Sequence, residues 1–185
     1  MKVLGVVGSP RKNGNTEILV DEVLRGAKET GATAEKIFLN DLKILPCQST
    51  CSEYCKTKGN CKIADDMSSL YDKLYGSDAI VLGTPVYWWG PSAQMKAFID
   101  RCYAFSHPPF VKKFEGKKLV LVAPFEDSDI STTDPLVGMM KKSAEYLKMD
   151  FSLKLLVTAG EKGAVAGNTK AMKEAYDIGV RLNKL

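Results

Sequence analysis

The apolar residues of this chain fall into two kinds of run, and the two kinds alternate along it. Five runs are rich in valine, leucine and isoleucine, and most of them are apolar almost throughout. Such runs are typical of strands buried on both faces of a parallel sheet, although the second run is half alternating. The predicted strands cover residues 3–7, 32–39, 78–84, 119–124 and 151–158.

Between these runs, apolar residues recur at the spacing of amphipathic helices. The predicted helices cover residues 17–24, 66–75, 91–105, 135–147 and 168–182. Strands that alternate with helices imply parallel βαβ units and a sheet covered on both faces. The spacing fits an α/β, flavodoxin-like, doubly wound five-stranded parallel sheet of order 2-1-3-4-5. No repeat or linker divides the chain, so we expect one domain over residues 1–185.

The loop after the first predicted strand, residues 8–16, is the first candidate site. It reads G-S-P-R-K-N-G-N-T, and we call it the first loop. A strand that runs through a polar loop into a helix N-terminus can bind an anion with its free N–H groups. The loop lacks the Lys-Ser/Thr ending of a P-loop and the G-x-G-x-x-G fingerprint, which leaves a mononucleotide phosphate. The alternative is an ordinary turn in which Asn15 or Thr16 caps the helix.

A second unusual loop, residues 84–91, follows the third predicted strand and contains Tyr87, Trp88 and Trp89 in succession. We call it the aromatic loop. In the predicted strand order, it and the first loop meet at the switch point, where such sheets bind ligands. The aromatic rings offer faces for stacking on a flat ligand. A subunit interface is the alternative, and it is compatible with a ligand wall.

These two segments resemble the flavodoxin-like NAD(P)H-dependent FMN reductase superfamily, and its iron–sulfur flavoprotein branch most of all. G-S-P-R-x-x-G-N-T is similar to the family's FMN-phosphate loop. P-V-Y-W, followed by K-x-F-I-D-R in the next helix, is similar to its second flavin loop and a helix of its dimer interface. The resemblance implies phosphate contacts from Ser9, Arg11, Asn13, Asn15 and Thr16, and flavin-ring contacts from Pro85, Val86, Tyr87 and Trp88. The family's third flavin loop is usually glycine-rich, whereas residues 123–127 contain no glycine, so we assign no contacts to that side.

Four of the five cysteines lie in an insertion of about residues 40–65, which we call the cysteine segment. Cys47, Cys51, Cys55 and Cys61 form a C-x3-C-x3-C-x5-C motif. Four thiolates so close together suit a zinc ion or an iron–sulfur cluster. The resemblance implies a [4Fe–4S] cluster, but the family spacing has two residues between the first three cysteines, where this chain has three. A cluster, zinc, and free thiols or a redox disulfide all stay open.

Composition and charge narrow the class of protein further. The chain is 45% hydrophobic and 26% charged, and its net charge of +4 is scattered, which argues against nucleic-acid binding. No apolar run approaches the ~20 residues of a membrane span, and no signal peptide is evident, so we expect a cytoplasmic protein. In that compartment, clustered cysteines favour metal or redox chemistry.

The resemblance implies an FMN-dependent redox protein that acts as a homodimer or homotetramer. Electrons would come from NAD(P)H or a ferredoxin-like donor and go to a small-molecule acceptor. The first alternative is a cluster-free NAD(P)H:flavin or quinone reductase. The second is a zinc-stabilised binding module that holds another phosphate ligand in the crevice.

Overall fold

The computed structural model describes residues 1–183. Within these residues, five strands form one parallel sheet of order β2-β1-β3-β4-β5, which confirms the predicted doubly wound topology. The strands are β1 (Lys2–Val7), β2 (Thr33–Phe38), β3 (Ala79–Gly83), β4 (Lys118–Phe125) and β5 (Asp150–Thr158). β3 is buried at every position and β1 at every position but the first, as continuous apolar runs require.

The described residues contain six α-helices. They are α1 (Asn15–Glu29), α2 (Ser52–Lys58), α3 (Leu70–Gly76), α4 (Ala93–Arg101), α5 (Asp134–Leu147) and α6 (Thr169–Leu182). α2 lies in the cysteine segment, where the apolar pattern did not predict a helix. In the part of the chain that the structure describes, no helix is long and apolar enough to cross a membrane.

The helix predicted over residues 91–105 is shorter than expected at both ends. The Ser92 hydroxyl accepts a hydrogen bond from the Met95 N–H at 3.2 Å, so Ser92 caps α4 and Pro91 lies before the helix. The chain tightens into a 3₁₀ turn over Cys102–Phe105. The predicted helix over residues 66–75 likewise begins as a 3₁₀ turn, Asp66–Ser69.

The core has two layers, one on each face of the sheet. On one face α1 packs closely against α6, where a Cβ on Gly179 would lie 2.0 Å from the Val23 carbonyl oxygen. Glycine therefore lets the two helix backbones touch. The other face is covered by α3, α4 and α5, and buried Cys55 joins this layer. The cysteine segment is thus packed onto the face opposite α1.

Direct contacts join the two loops at the switch point. The Gly8 N–H donates to the Gly83 carbonyl at 2.7 Å, which extends the β1–β3 pairing into the first loop. The Ser92 hydroxyl donates to the Gly8 carbonyl at 2.5 Å, and the Ser92 N–H donates to the Thr84 hydroxyl at 2.9 Å. The first loop and the aromatic loop are therefore fixed relative to each other.

Candidate functional site

A cavity of about 160 Å³ lies at the carboxyl edge of the sheet, among the loops that follow β1, β3, β4 and β5. Its wall includes most of the residues that the sequence singled out for the flavin. These are Ser9, Arg11, Asn15 and Thr16 of the first loop, and Pro85, Val86 and Tyr87 of the aromatic loop. Asn13 and Trp88 are not on this wall.

The first turn of α1 leaves its N–H groups unpaired toward the first loop. The N-cap residue is Gly14, which has no side chain to cap the helix, so neither Asn15 nor Thr16 takes that role. Within residues 1–183, the N–H groups of Asn15, Thr16 and Glu17 donate to no protein acceptor. These N–H groups and the positive end of the helix dipole favour an anion here.

The two asparagines of the first loop have different structural roles. Asn13 adopts a left-handed conformation (φ +55°), its side chain is exposed, and its N–H donates to the Glu17 carboxylate at 2.5 Å. The buried side chain of Asn15 donates to the carbonyls of Ala159 and Glu161 at 3.1 and 2.8 Å, and accepts from the Val165 N–H at 3.1 Å. The side-chain amide of Asn15 thus holds the loop after β5. The backbone N–H of Asn15 is the group that is free to bind a ligand.

The aromatic loop ends in a tight turn with an unusual backbone. Tyr87 and Gly90 exchange two N–H···O bonds of 2.9 and 3.0 Å. Between them Trp88 and Trp89 both have positive φ, +52° and +60°, a conformation that costs bulky residues about 1–2 kcal/mol each. Trp88 is 89% exposed, and strain of this kind concentrates at functional sites.

Two further loops complete the cavity wall, and the sequence analysis did not assign them to the site. Phe125, the last residue of β4, and Glu126, which follows it, line the cavity although this loop contains no glycine. The closing loop, residues 159–167, contributes Gly160 and Lys162. Its position at the carboxyl end of a neighbouring parallel strand is the signal that could have identified it.

Three of the four predicted metal ligands meet in the cysteine segment. The sulfur atoms of Cys51, Cys55 and Cys61 all lie within 4.8 Å of one another. Cys51 and Cys55 are joined by one turn of α2, since the Cys55 N–H donates to the Cys51 carbonyl at 3.2 Å. Gly59, with φ +67°, ends α2 and turns the chain back toward Cys61. The local sequence therefore builds a thiol triad.

Cys47, the fourth predicted ligand, lies outside this triad and is exposed. It lines an open cavity of about 530 Å³ together with Cys51, Cys55 and Cys102. Burial, together with the charges of Cys61 and Cys51, raises the pKa of the Cys55 thiol to about 12. Metal binding at the triad would therefore have to displace a proton from Cys55.

Comparison with known proteins agrees with this architecture. The family model for NADPH-dependent FMN reductase matches residues 1–129. An iron–sulfur flavoprotein of Archaeoglobus fulgidus is 39% identical over 185 residues, which cover 98% of this chain and 79% of the relative. The iron–sulfur flavoprotein MJ1083 of Methanocaldococcus jannaschii is 46% identical over 101 residues, which cover 55% of this chain and 51% of the relative.

Among solved structures, a flavodoxin from the domain Archaea superimposes with a TM-score of 0.61 at 16% identity, covering 100% of this chain and 97% of that one. At this identity the likeness concerns the fold alone. The sequence relatives carry the family assignment, because one of them aligns with nearly the whole chain. The chain therefore belongs to the NADPH-dependent FMN reductase family, and within it the chain is similar to iron–sulfur flavoproteins.

Proposed function

We propose that this protein is an FMN-dependent electron-transfer oxidoreductase with a thiolate-bound iron–sulfur cluster beside the flavin. The observation that carries the flavin part is the uncapped N-terminus of α1 at the switch point. Asn15 and Thr16, whose N–H groups have no acceptor within residues 1–183, line one cavity together with Ser9 and Arg11. A terminal phosphate satisfies such donors without a metal ion.

The remaining walls suit the flat ring of a flavin. Pro85, Val86 and Tyr87 line one side of the cavity, and Phe125 and Glu126 line another. The Val86 N–H donates to the Pro124 carbonyl at 3.2 Å, so these two walls are fixed together. FMN, when bound, supplies the redox chemistry, and the protein has only to bind it, orient it and limit access to it.

The donor set of the cysteine segment suits a thiophilic metal centre. Three sulfur atoms already lie within 4.8 Å of one another, and Cys47 lies on the rim of the neighbouring cavity. In this proposal Cys51, Cys55 and Cys61 hold the cluster and Cys47 supplies the fourth thiolate. An iron–sulfur cluster, when bound, would supply one-electron exchange with a ferredoxin-like donor.

The exposed aromatic turn extends the proposal to an oligomer. Trp88 and Trp89 are 89% and 50% exposed, and their rings pack edge to face with centroids 5.1 Å apart. Aromatic side chains of this kind are enriched in interfaces. We therefore include a homodimer or homotetramer in the proposal.

The proposal also includes a cytoplasmic location, and NAD(P)H as an alternative electron donor.

A second function, a cluster-free NAD(P)H:quinone-type reductase, is favoured by one observation, the position of Cys47 outside the triad. Visible spectra of anaerobically purified protein, before and after dithionite, separate the two functions. Flavin bands over a broad background that bleaches are expected. Flavin bands alone would favour the second function, and a colourless sample that takes up no added FMN would contradict both.

A Cys55→Ser variant ties the spectrum to the triad. We expect the variant to lose the broad background and its iron, and to keep the flavin. Cys102→Ser is the matched control, because Cys102 lines the same cavity but lies outside the triad. Full iron content in Cys55→Ser would exclude Cys55 as a ligand.

A further inference from the structure

The two ends of the cysteine segment meet at one buried side chain, Arg101 at the end of α4. Its Nη1 donates to the carbonyl oxygen of Leu45 at 2.8 Å, just before Cys47. Its Nη2 donates to the carbonyl oxygen of Ile63 at 3.4 Å, just after Cys61. One guanidinium group thus holds the chain on both sides of the four cysteines.

Asp65 completes this contact from within the returning chain. Its two carboxylate oxygens accept from Nη1 and Nη2 of Arg101 at 2.6 and 3.1 Å, the paired geometry in which arginine binds carboxylates most specifically. The same carboxylate accepts the N–H of Leu45 at 2.9 Å and the N–H of Met67 at 3.1 Å. We call the Arg101–Asp65 pair the clasp.

The clasp is removed from water, unlike the ion pairs on the protein surface. The side chains of Arg101 and Asp65 are 0% and 2% exposed. The loss of hydration offsets much of the attraction within a buried ion pair, so such a pair is weak evidence of a purely stabilising role. The Nε atom of Arg101 is also buried and has no hydrogen-bond partner within the described residues. The unfavourable burial of these polar groups indicates that the clasp has a role beyond stabilising the position of α4.

The clasp holds the chain close to the thiol triad on its returning side. Ile63, whose carbonyl accepts from Arg101, lies two residues after Cys61. Movement of this part of the chain would therefore move Cys61 relative to Cys51 and Cys55.

We propose that the Arg101–Asp65 clasp positions the cysteine segment for metal binding. It fixes the chain before Cys47 against the chain after Cys61. Neither residue is a ligand, and both act through the cysteines. The inference rests on the metal centre in the proposed function and is independent of the flavin site.

The test uses cobalt(II) as a probe. It is titrated anaerobically into the full-length protein, which is loaded with FMN, freed of metal and has its thiols reduced. Cobalt–thiolate absorption, read as a difference spectrum, reports both affinity and coordination. Asp65→Asn removes the charge of the carboxylate, and Arg101→Lys keeps the positive charge but cannot span two carbonyls and a carboxylate. We expect cobalt affinity to fall about 10–100-fold in both variants, with FMN affinity unchanged.

Asp177→Asn is the matched control. Asp177 pairs with Lys173 at 2.5 Å on α6, on the face of the sheet opposite the cysteine segment, so cobalt binding should stay at the wild-type level. Unchanged cobalt affinity and spectrum in Asp65→Asn and Arg101→Lys would overturn the clasp inference, even if thermal stability fell. Wild-type protein that binds cobalt no better than Cys55→Ser would overturn the proposed metal centre, and the clasp inference with it.

Discussion

At the scale of single residues, Arg11 and Lys12 are neighbouring cations with different surroundings. Arg11 lies on the wall of the candidate FMN cavity, whereas Lys12 pairs with Asp41 at 2.8 Å on the exposed surface. This pair of neighbours offers a matched test of the phosphate site, because one substitution removes a wall cation and the other does not.

We expect Arg11→Ala to weaken FMN binding by about 1.5–3 kcal/mol, the usual contribution of a hydrogen bond to a charged group. Titration of the flavin-free protein, followed by quenching of FMN fluorescence, measures the change. Lys12→Ala is the control and should bind FMN as the wild type does. If Arg11→Ala and Lys12→Ala bind FMN with equal affinity, the phosphate of FMN does not contact Arg11.

Trp88 offers a second test at this scale, because its backbone conformation suits glycine better than tryptophan. Trp88→Gly removes an 89% exposed ring together with the left-handed strain, so the free energy of unfolding of the flavin-free protein should stay the same or rise by up to about 1 kcal/mol. FMN affinity should fall if the ring contributes to the flavin wall.

Chemical denaturation and flavin titration measure these two quantities. Trp88→Phe, which keeps an aromatic ring and the strain, is the matched control and should retain FMN affinity. A Trp88→Gly variant that binds FMN normally would remove Trp88 from the set of ring contacts and favour an interface role.

At the scale of elements, Asn15 joins the first turn of α1 to the closing loop. Its side chain makes three hydrogen bonds to backbone groups of Ala159, Glu161 and Val165. We expect Asn15→Ala to lower the free energy of unfolding by about 1–3 kcal/mol, since buried polar groups of the loop lose their partners. Urea denaturation of the flavin-free protein measures this loss.

Asn13→Gly is the matched control for Asn15→Ala. The Asn13 side chain is exposed and its φ of +55° suits glycine, so we expect a change of no more than about 0.5 kcal/mol. If Asn15→Ala unfolds at the wild-type urea concentration, the closing loop must be held by other contacts.

At the scale of the whole molecule, several carboxylates are more acidic in the folded protein than in the unfolded chain. The hydrogen bond from Lys118 lowers the pKa of Asp150. Burial raises the pKa of Asp65, but the hydrogen bonds from Arg101 and from the Leu45 N–H outweigh it and lower it overall. Because the unfolded state then binds more protons, these groups stabilise the fold above about pH 4 and less as pH falls through their folded pKa values.

We therefore expect the urea midpoint to fall as the pH drops below about 4, and Asp150→Asn to make this decline shallower. The measurement is a series of urea denaturations at stepped pH. Glu53→Gln is the control. The Glu53 side chain is 83% exposed, and its carboxylate lies 3.8 Å from the Lys56 ammonium group, which is a long distance for an ion pair. An acid decline of wild-type steepness in Asp150→Asn would remove the Lys118–Asp150 pair as a cause.

The pattern of apolar residues was enough to predict the sheet and the position of the crevice. Strand positions follow from apolar runs, and the order of parallel βαβ units follows from general rules of handedness and connection, so the first loop and the aromatic loop could be placed together. The thiol triad also depends on local structure, because α2 and the turn at Gly59 bring together cysteines that are close in sequence.

Contacts between groups that are distant in sequence became visible in the folded chain alone. Asn15 bonds to residues about 150 positions away, and Arg101 reaches Leu45 and Asp65 across separations of 56 and 36 residues. No local pattern encodes such contacts, because they depend on how separate elements pack. For the same reason the clasp was not predicted, and Cys47 was grouped with three thiols that the packing brings together without it.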